Sequence, residues 1–76
     1  EVLPEKCGEN ITGEIMLSLH IDKNGQVKSH EVIKNTTGSQ LCLNSVIRAA
    51  YGSAWQPVII DSNIYEYRIY KSYHFE

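Results

Sequence analysis

The sequence predicts an α+β fold in which one helix covers one face of a three-stranded antiparallel sheet, in the order β-β-α-β. Three observations support this fold. Apolar and polar residues alternate strictly after Ile15, apolar residues follow Ser39 at helical spacing, and a second alternating run ends near Tyr70. Because 76 residues make one small domain, we predict a single domain over residues 1–76 that begins with a polar lead over 1–10.

The first two strands are predicted to form a β-hairpin over residues 13–34. Aliphatic side chains occupy alternate positions from Ile15 to Ile21, which is typical of a strand with one buried face. The polar segment Asp22–Gly25 interrupts this pattern, and β-favouring residues resume at Val27. The two runs therefore lie side by side, joined by a tight turn.

The apolar pattern also predicts the register of this hairpin. A three-residue loop that ends with Gly25 in the left-handed conformation pairs Ile21 with Val27 and keeps apolar residues opposite each other. If this register continued unchanged, the charged Glu31 would face the buried side of the first strand. We therefore predict one extra residue, a β-bulge, near Ser29–His30.

The helix is predicted over residues 39–51 and the last strand over 63–70. Ser39 is a suitable N-cap, and an apolar stripe at helical spacing follows it. Gly52 is placed to end the helix in the left-handed conformation. After Trp55, tyrosines and isoleucines alternate with charged residues up to Tyr70.

Composition excludes several functional classes. Seven Lys and Arg against nine Asp and Glu, without a basic cluster, argue against binding to nucleic acid or to anionic lipid. No apolar run approaches the roughly 20 residues that cross a bilayer, so we expect no membrane insertion of this domain. No nucleophile–base pair, phosphate loop or acid pair stands out, and we predict no enzymatic activity and no cofactor.

The two cysteines are candidates for a disulfide. Cys7 and Cys42 are too far apart for a Cys-x-x-Cys redox motif, and there is no second pair to complete a four-ligand zinc site. A structural disulfide is the preferred prediction, because a closed loop of about 35 residues adds on the order of 3–4 kcal/mol to a small domain. Two free thiols, with Cys42 packed in the helix stripe, are the alternative.

Three histidines could suggest a metal site. His20 and His30 lie on neighbouring predicted strands, but neither has a cysteine or carboxylate at ligand spacing, and His74 lies in the tail. Pairing of Cys42 with a histidine as a nucleophile would need a free thiol and a cleft. We therefore predict exposed strand histidines and no metal.

Aromatic side chains concentrate at the end of the chain, where five of the seven fall within the last twelve residues. Alternation cannot bury all of them on one face of a sheet. They either close the end of the domain or form a recognition surface, because tyrosine is favoured in protein interfaces. The candidate partner-binding residues are Tyr65, Tyr67, Arg68, Tyr70 and Tyr73.

The segments Gly13–Val27 and Ser39–Cys42, with Ala49-Ala50 at the helix end, resemble the C-terminal domains of TolA and TonB. These domains are the periplasmic ends of proteins anchored in the inner membrane of Gram-negative bacteria. The resemblance extends to about Phe75. Leu41-Cys42 and the tyrosine-bearing last strand look more like TolA, whereas Trp55 looks more like TonB. In the TolA domains the first cysteine lies within the first strand, whereas Cys7 precedes it.

The resemblance implies a non-catalytic periplasmic module that binds other envelope proteins. Its partners would be TolB and Pal, and also colicins or filamentous phage coat proteins. We expect binding by β-augmentation, in which a partner segment adds a strand to an edge spanning Tyr65–Tyr70. The alternatives are a TonB-type domain that binds the TonB boxes of outer-membrane transporters, and a small secreted inhibitor with a disulfide. The sequence leaves open which strand forms the edge.

Overall fold

A computed structural model describes residues 2–76. Its elements in chain order are β1 (Gly13–Ile21), β2 (Val27–Asn35), α1 (Gln40–Gly52), β3 (Val58–Ile60), β4 (Asn63–Tyr65) and β5 (Tyr67–Phe75). The main sheet is antiparallel with strand order β2-β1-β5, and β3 and β4 form a separate two-stranded hairpin. The predicted three-stranded sheet with one helix is confirmed.

The core lies between β1 and the helix. Because β1 is the central strand and α1 covers one face, the alternate aliphatic residues from Ile15 to Ile21 are fully buried. Val46 and Ala50 of the helix complete this layer, and both are also fully buried. The alternation seen in the sequence therefore sets which face of the sheet the helix covers.

The predicted hairpin register is confirmed, with the bulge one residue early. Ile21 pairs with Val27, and Gly25 has a φ of 81° at the end of the loop. The register shifts at Lys28, next to the predicted Ser29–His30, and it shifts a second time at Ile33. The two extra residues lie on β2, so β1 stays regular along its whole length.

The helix begins as predicted and ends differently. The Ser39 hydroxyl accepts the backbone N–H of Cys42 at 3.1 Å, which caps the first turn. Gly52 remains within the helix, and the predicted left-handed glycine end is wrong. Ser53 ends the helix instead: its own backbone is extended, and its hydroxyl donates to Ala49 O at 2.8 Å.

The segment predicted as the last strand, residues 63–70, is divided between two strands. Asp61 and Ser62 adopt positive φ values of 51° and 67°, so Val58–Ile60 folds back on Asn63–Tyr65 as a tight hairpin. The final strand β5 then runs from Tyr67 to Phe75, beyond the predicted end. The polar pair Asp61-Ser62 between two apolar runs was the turn signal for this extra hairpin.

The polar lead lies along the helix in the opposite direction. Cys7 and Cys42 form the preferred disulfide, with their Cα atoms 5.0 Å apart. The Ser45 hydroxyl donates to Glu5 O at 2.8 Å, midway along the helix. The backbone N–H of Val2 donates to the hydroxyl of Ser53 at 2.9 Å. The lead is therefore attached at both ends of the helix and in its middle.

Candidate protein-interaction edge

The strand β5 lies at one edge of the main sheet. It pairs with β1 over nine residues, from Gly13 opposite Phe75 to Ile21 opposite Tyr67, without a register shift. Within residues 2–76 no strand pairs with its other side. A regular strand of this length presents a row of peptide groups to which another extended segment can bind.

The register shows which peptide groups of β5 face outward. The Glu14 carbonyl accepts from the N–H of Thr36 at 2.9 Å, and the Asp22 N–H donates to Gln26 O at 2.8 Å. Even-numbered residues of β1 therefore bond towards β2, and odd-numbered residues bond towards β5, because main-chain groups alternate along a strand.

In the β1–β5 ladder, odd-numbered residues lie opposite odd-numbered residues, as in the pair of Ile15 with Tyr73. The odd-numbered residues of β5 therefore bond to β1. The remaining main-chain N–H and C=O groups point away from the sheet. They belong to four residues: Arg68, Tyr70, Ser72 and His74.

The opposite edge of the sheet is less suited to an added strand. The strand β2 carries bulges at Lys28 and Ile33, which break the spacing of its outer peptide groups. Of the two edges, the β5 edge is the regular one.

Two of the predicted partner-binding residues lie together on the face of the sheet that the helix leaves open. The Tyr70 side chain is 68% exposed and lies opposite Ser18 of β1. The Arg68 Nη1 atom donates to the Ser18 hydroxyl at 3.1 Å, which holds the guanidinium against the sheet. Arg68 and Tyr70 thus flank the same outward-facing stretch of main chain.

The other three predicted residues lie elsewhere. Tyr73 is 6% exposed and belongs to the core under the helix. Tyr67 also faces the helix side, and its hydroxyl donates to the Gln56 carbonyl. Tyr65 lies on β4, outside the main sheet, where it pairs with Val58 and is 45% exposed. The structure therefore does not bring the five candidates together as one surface.

The carboxylate of Glu14, on the open face of the sheet, contacts side chains of both neighbouring strands. Glu14 lies 2.9 Å from Lys34 Nζ on β2 and 3.6 Å from His74 Nε2 on β5. The hydrogen bond from Lys34 is the main cause that lowers the pKa of Glu14 below its ordinary value; it outweighs desolvation, which raises the pKa, and the charges of Lys34 and His74 add to the lowering. The ionised carboxylate therefore joins all three strands at this end.

The histidines each have a protein partner. His20 Nε2 lies 3.0 Å from Glu66 Oε1, and the ring of His30 lies edge-on to Tyr51 with Nδ1 2.8 Å from its hydroxyl. Among residues 2–76 there is no group of three or more His, Cys, Asp or Glu side chains placed to hold a metal ion. In the same range no helix is long and apolar enough to span a membrane.

A groove runs beside the C-terminal half of β5. Its volume is about 430 Å³, and it is lined on one side by Leu3 and Pro4 of the lead and on the other by Lys71–Phe75. Leu3 is 75% exposed, although it is a large apolar residue. The sequence did not lead us to predict that the lead lies beside β5. The feature that could have indicated it is the apolar pair Val2-Leu3 within an otherwise polar segment.

Comparison with known proteins gives one result. A family model described as the C-terminal part of the Gram-negative bacterial TonB protein matches residues 7–76. Neither the comparison with curated proteins nor that with solved structures gives a match. The matched range contains both cysteines and every helix and strand described above.

Proposed function

The chain belongs to the family of TonB C-terminal domains, and from that premise we propose that it binds an extended segment of a partner protein at the outer edge of β5. Domains of this family are periplasmic, non-catalytic modules that bind other proteins. The proposal adds the place and the manner of binding.

The observation that carries the proposal is the regular, outward-facing main chain of β5. Arg68, Tyr70, Ser72 and His74 offer N–H and C=O groups at the two-residue spacing of an antiparallel partner strand. Each main-chain hydrogen bond contributes about 0.5–1.5 kcal/mol, so several together suffice for a specific complex. The exposed Tyr70 adds a large amphipathic contact beside them.

We propose a TolA-type role for the domain, at the end of a periplasmic arm anchored in the inner membrane. The resemblance of Leu41-Cys42 and of the tyrosine-bearing last strand to TolA domains supports this role. Its partners would then be TolB-like and Pal-like envelope proteins, and the same edge would be open to colicin or filamentous phage coat protein domains.

A TonB-type role is the second candidate. The family model that matches the chain is described by TonB, and Trp55 follows the helix as a tryptophan does in that family. In this role the β5 edge would bind the TonB box of outer-membrane transporters. Titration of the domain with a TonB-box peptide and with a TolB N-terminal peptide separates the two roles by which peptide it binds.

A pair of proline substitutions tests the edge mechanism. Ser72→Pro removes an outward-facing N–H, which the fold does not use, so we expect a folded domain that no longer binds either peptide. Lys71→Pro removes an N–H that bonds to β1, and we expect loss of stability. Ser72→Ala removes only the hydroxyl and should bind normally. A folded Ser72→Pro variant that binds with unchanged affinity would refute the proposal.

A further inference from the structure

The lead segment Val2–Cys7 is attached to the helix at both of its ends, by a hydrogen bond at Val2 and by the disulfide at Cys7. Its attachment points on the helix are Ser53 for Val2 and Cys42 for Cys7, eleven positions apart. Eleven helical residues span roughly 16.5 Å, and five extended residues span the same distance. The lead therefore runs extended along the helix between its two attachment points.

This extended path places two apolar residues above the edge of the sheet. Leu3 and Pro4 face β5 across the groove, on the side of the sheet that carries the helix. The middle of the lead is held by the hydrogen bond from Ser45 to Glu5 O. Leu3 contributes little to the core because it is three-quarters exposed. A large aliphatic side chain fixed in this position is available to a bound partner.

A strand added to β5 would place every second side chain in this groove. Side chains alternate between the two faces of a sheet, and one set would point to the helix side, where Leu3, Pro4 and the ring of Phe75 lie. Only a partner segment with an extended backbone can form hydrogen bonds with all of the successive outward-facing peptide groups of β5. The occupant that fits both features is an extended peptide with apolar residues at alternate positions.

We propose that the disulfide-held lead Val2–Cys7 is the second wall of the partner-binding groove, and that it selects partner segments with an apolar side chain at every second position. This inference rests on the proposed function of the β5 edge. It assigns to Leu3 direct contact with the partner, and to the Cys7–Cys42 disulfide the positioning of Leu3.

The test uses a fluorescent peptide with lysine at both ends and alternating valine and threonine between them, and a second peptide in which serine replaces each valine. Fluorescence anisotropy gives the affinity of each peptide for the domain. We expect Leu3→Ser to weaken binding of the valine peptide roughly fivefold, because a partly buried aliphatic contact is lost. Binding of the serine peptide should not change, since it lacks that contact.

Leu41→Ser is the matched control, because Leu41 is a leucine of similar exposure, 69%, that lies on the helix outside the groove. It should leave both affinities unchanged. Replacing both Cys7 and Cys42 by serine removes the covalent attachment of the lead, so that only its hydrogen bonds to Ser45 and Ser53 remain, and should also weaken binding of the valine peptide. Adding Leu3→Ser to that double variant should weaken binding less than Leu3→Ser does in the unaltered domain.

The outcomes separate this inference from the function on which it rests. If Ser72→Pro abolishes binding of the valine peptide but Leu3→Ser leaves it unchanged, the lead is not a wall of the groove and the edge function remains. If the unaltered domain does not bind the valine peptide, or Ser72→Pro does not weaken binding, the edge function fails and this inference fails with it. If the double cysteine variant does not fold, the comparison of Leu3→Ser with Leu41→Ser alone tests whether the lead contacts the partner.

Discussion

Gly25 joins the β1–β2 turn to the segment that follows the helix. Its φ of 81° lies in the left-handed region, and its carbonyl accepts the N–H of Trp55 at 2.8 Å. A Cβ atom at this position would overlap the Trp55 carbonyl oxygen. Two independent requirements, a backbone conformation and a close approach, therefore apply to one residue.

We predict that Gly25→Ala lowers the free energy of unfolding by at least about 2 kcal/mol, because left-handed strain and displacement of the Trp55 backbone add together. Gly38→Ala is the matched control: Gly38 also has a positive φ, 67°, but a Cβ there meets nothing within 4 Å. It should cost about 1 kcal/mol. Urea unfolding of both variants measures the difference, and equal losses would show that the contact with Trp55 is unimportant.

The pKa of Glu14 predicts how stability depends on pH. The hydrogen bond from Lys34 lowers this pKa in the folded state, so the ionised carboxylate stabilises the fold above the pKa of the unfolded chain. This contribution is lost as the pH falls through the folded-state pKa. We expect Lys34→Gln to raise the pKa of Glu14 and to reduce the stability difference between neutral and acidic pH.

NMR titration of the Glu14 carboxyl, with urea unfolding at several pH values, checks this prediction. The side chain is partly exposed, so added salt should weaken the effect. An unchanged Glu14 pKa in the Lys34→Gln variant would contradict the assigned cause.

The sequence shows which segment carries the aromatic side chains but not the direction of each side chain. Tyr70 is exposed and Tyr73 is buried, although both belong to the same tyrosine-rich run. Their directions follow from the register of β5 against β1, which is a long-range pairing. Alternation along one strand separates the even-numbered Arg68 and Tyr70 from the odd-numbered tyrosines, but which of the two sets faces the helix follows only from the pairing of β5 with β1.

At the scale of the elements, local signals gave the most reliable predictions. The N-cap of Ser39 and the loop that ends at Gly25 act through neighbouring residues, and the structure confirms both. The β3–β4 hairpin was missed because its strands have only three residues each, too few to show alternation. The position of β5 at the sheet edge could not be derived, because the β-β-α-β order allows the last strand to pair with either strand of the hairpin.

The contrast between the two sheet edges is also a property of elements. Both extra residues of the β1–β2 pairing lie on β2, so the bulges interrupt the spacing of peptide groups on the β2 edge and leave β1 without a bulge. Because β1 has no bulge, it forms nine consecutive pairs with β5. The bulges that keep the apolar residues of the hairpin aligned lie on β2 alone, and β5 is therefore the regular edge of the sheet.

At the scale of the whole molecule, the disulfide compensates for small size. A domain below roughly 80 residues obtains only about 3–5 kcal/mol from its apolar core. The buried core here consists mainly of one face of β1 and one stripe of the helix. The link between Cys7 and Cys42 closes a loop of 35 residues, which restricts the unfolded chain.

We predict that replacing both Cys7 and Cys42 by serine lowers the free energy of unfolding by about 3–4 kcal/mol, a large part of the total. Urea unfolding of the double variant, compared with the oxidised domain, gives this difference. Dithiothreitol should destabilise the unaltered domain and have no effect on the double variant. A loss below about 1 kcal/mol would mean that the core alone supports the fold.

The central claim is that a partner strand binds the main chain of β5, and amide hydrogen exchange of the complex measures this directly. With a bound TolB N-terminal or TonB-box peptide, the amides of Arg68, Tyr70, Ser72 and His74 should become protected, because their N–H groups point outward in the free domain. The intervening odd-numbered amides should change little, because they already bond to β1. Protection confined to β2, or none along β5, would contradict the claim.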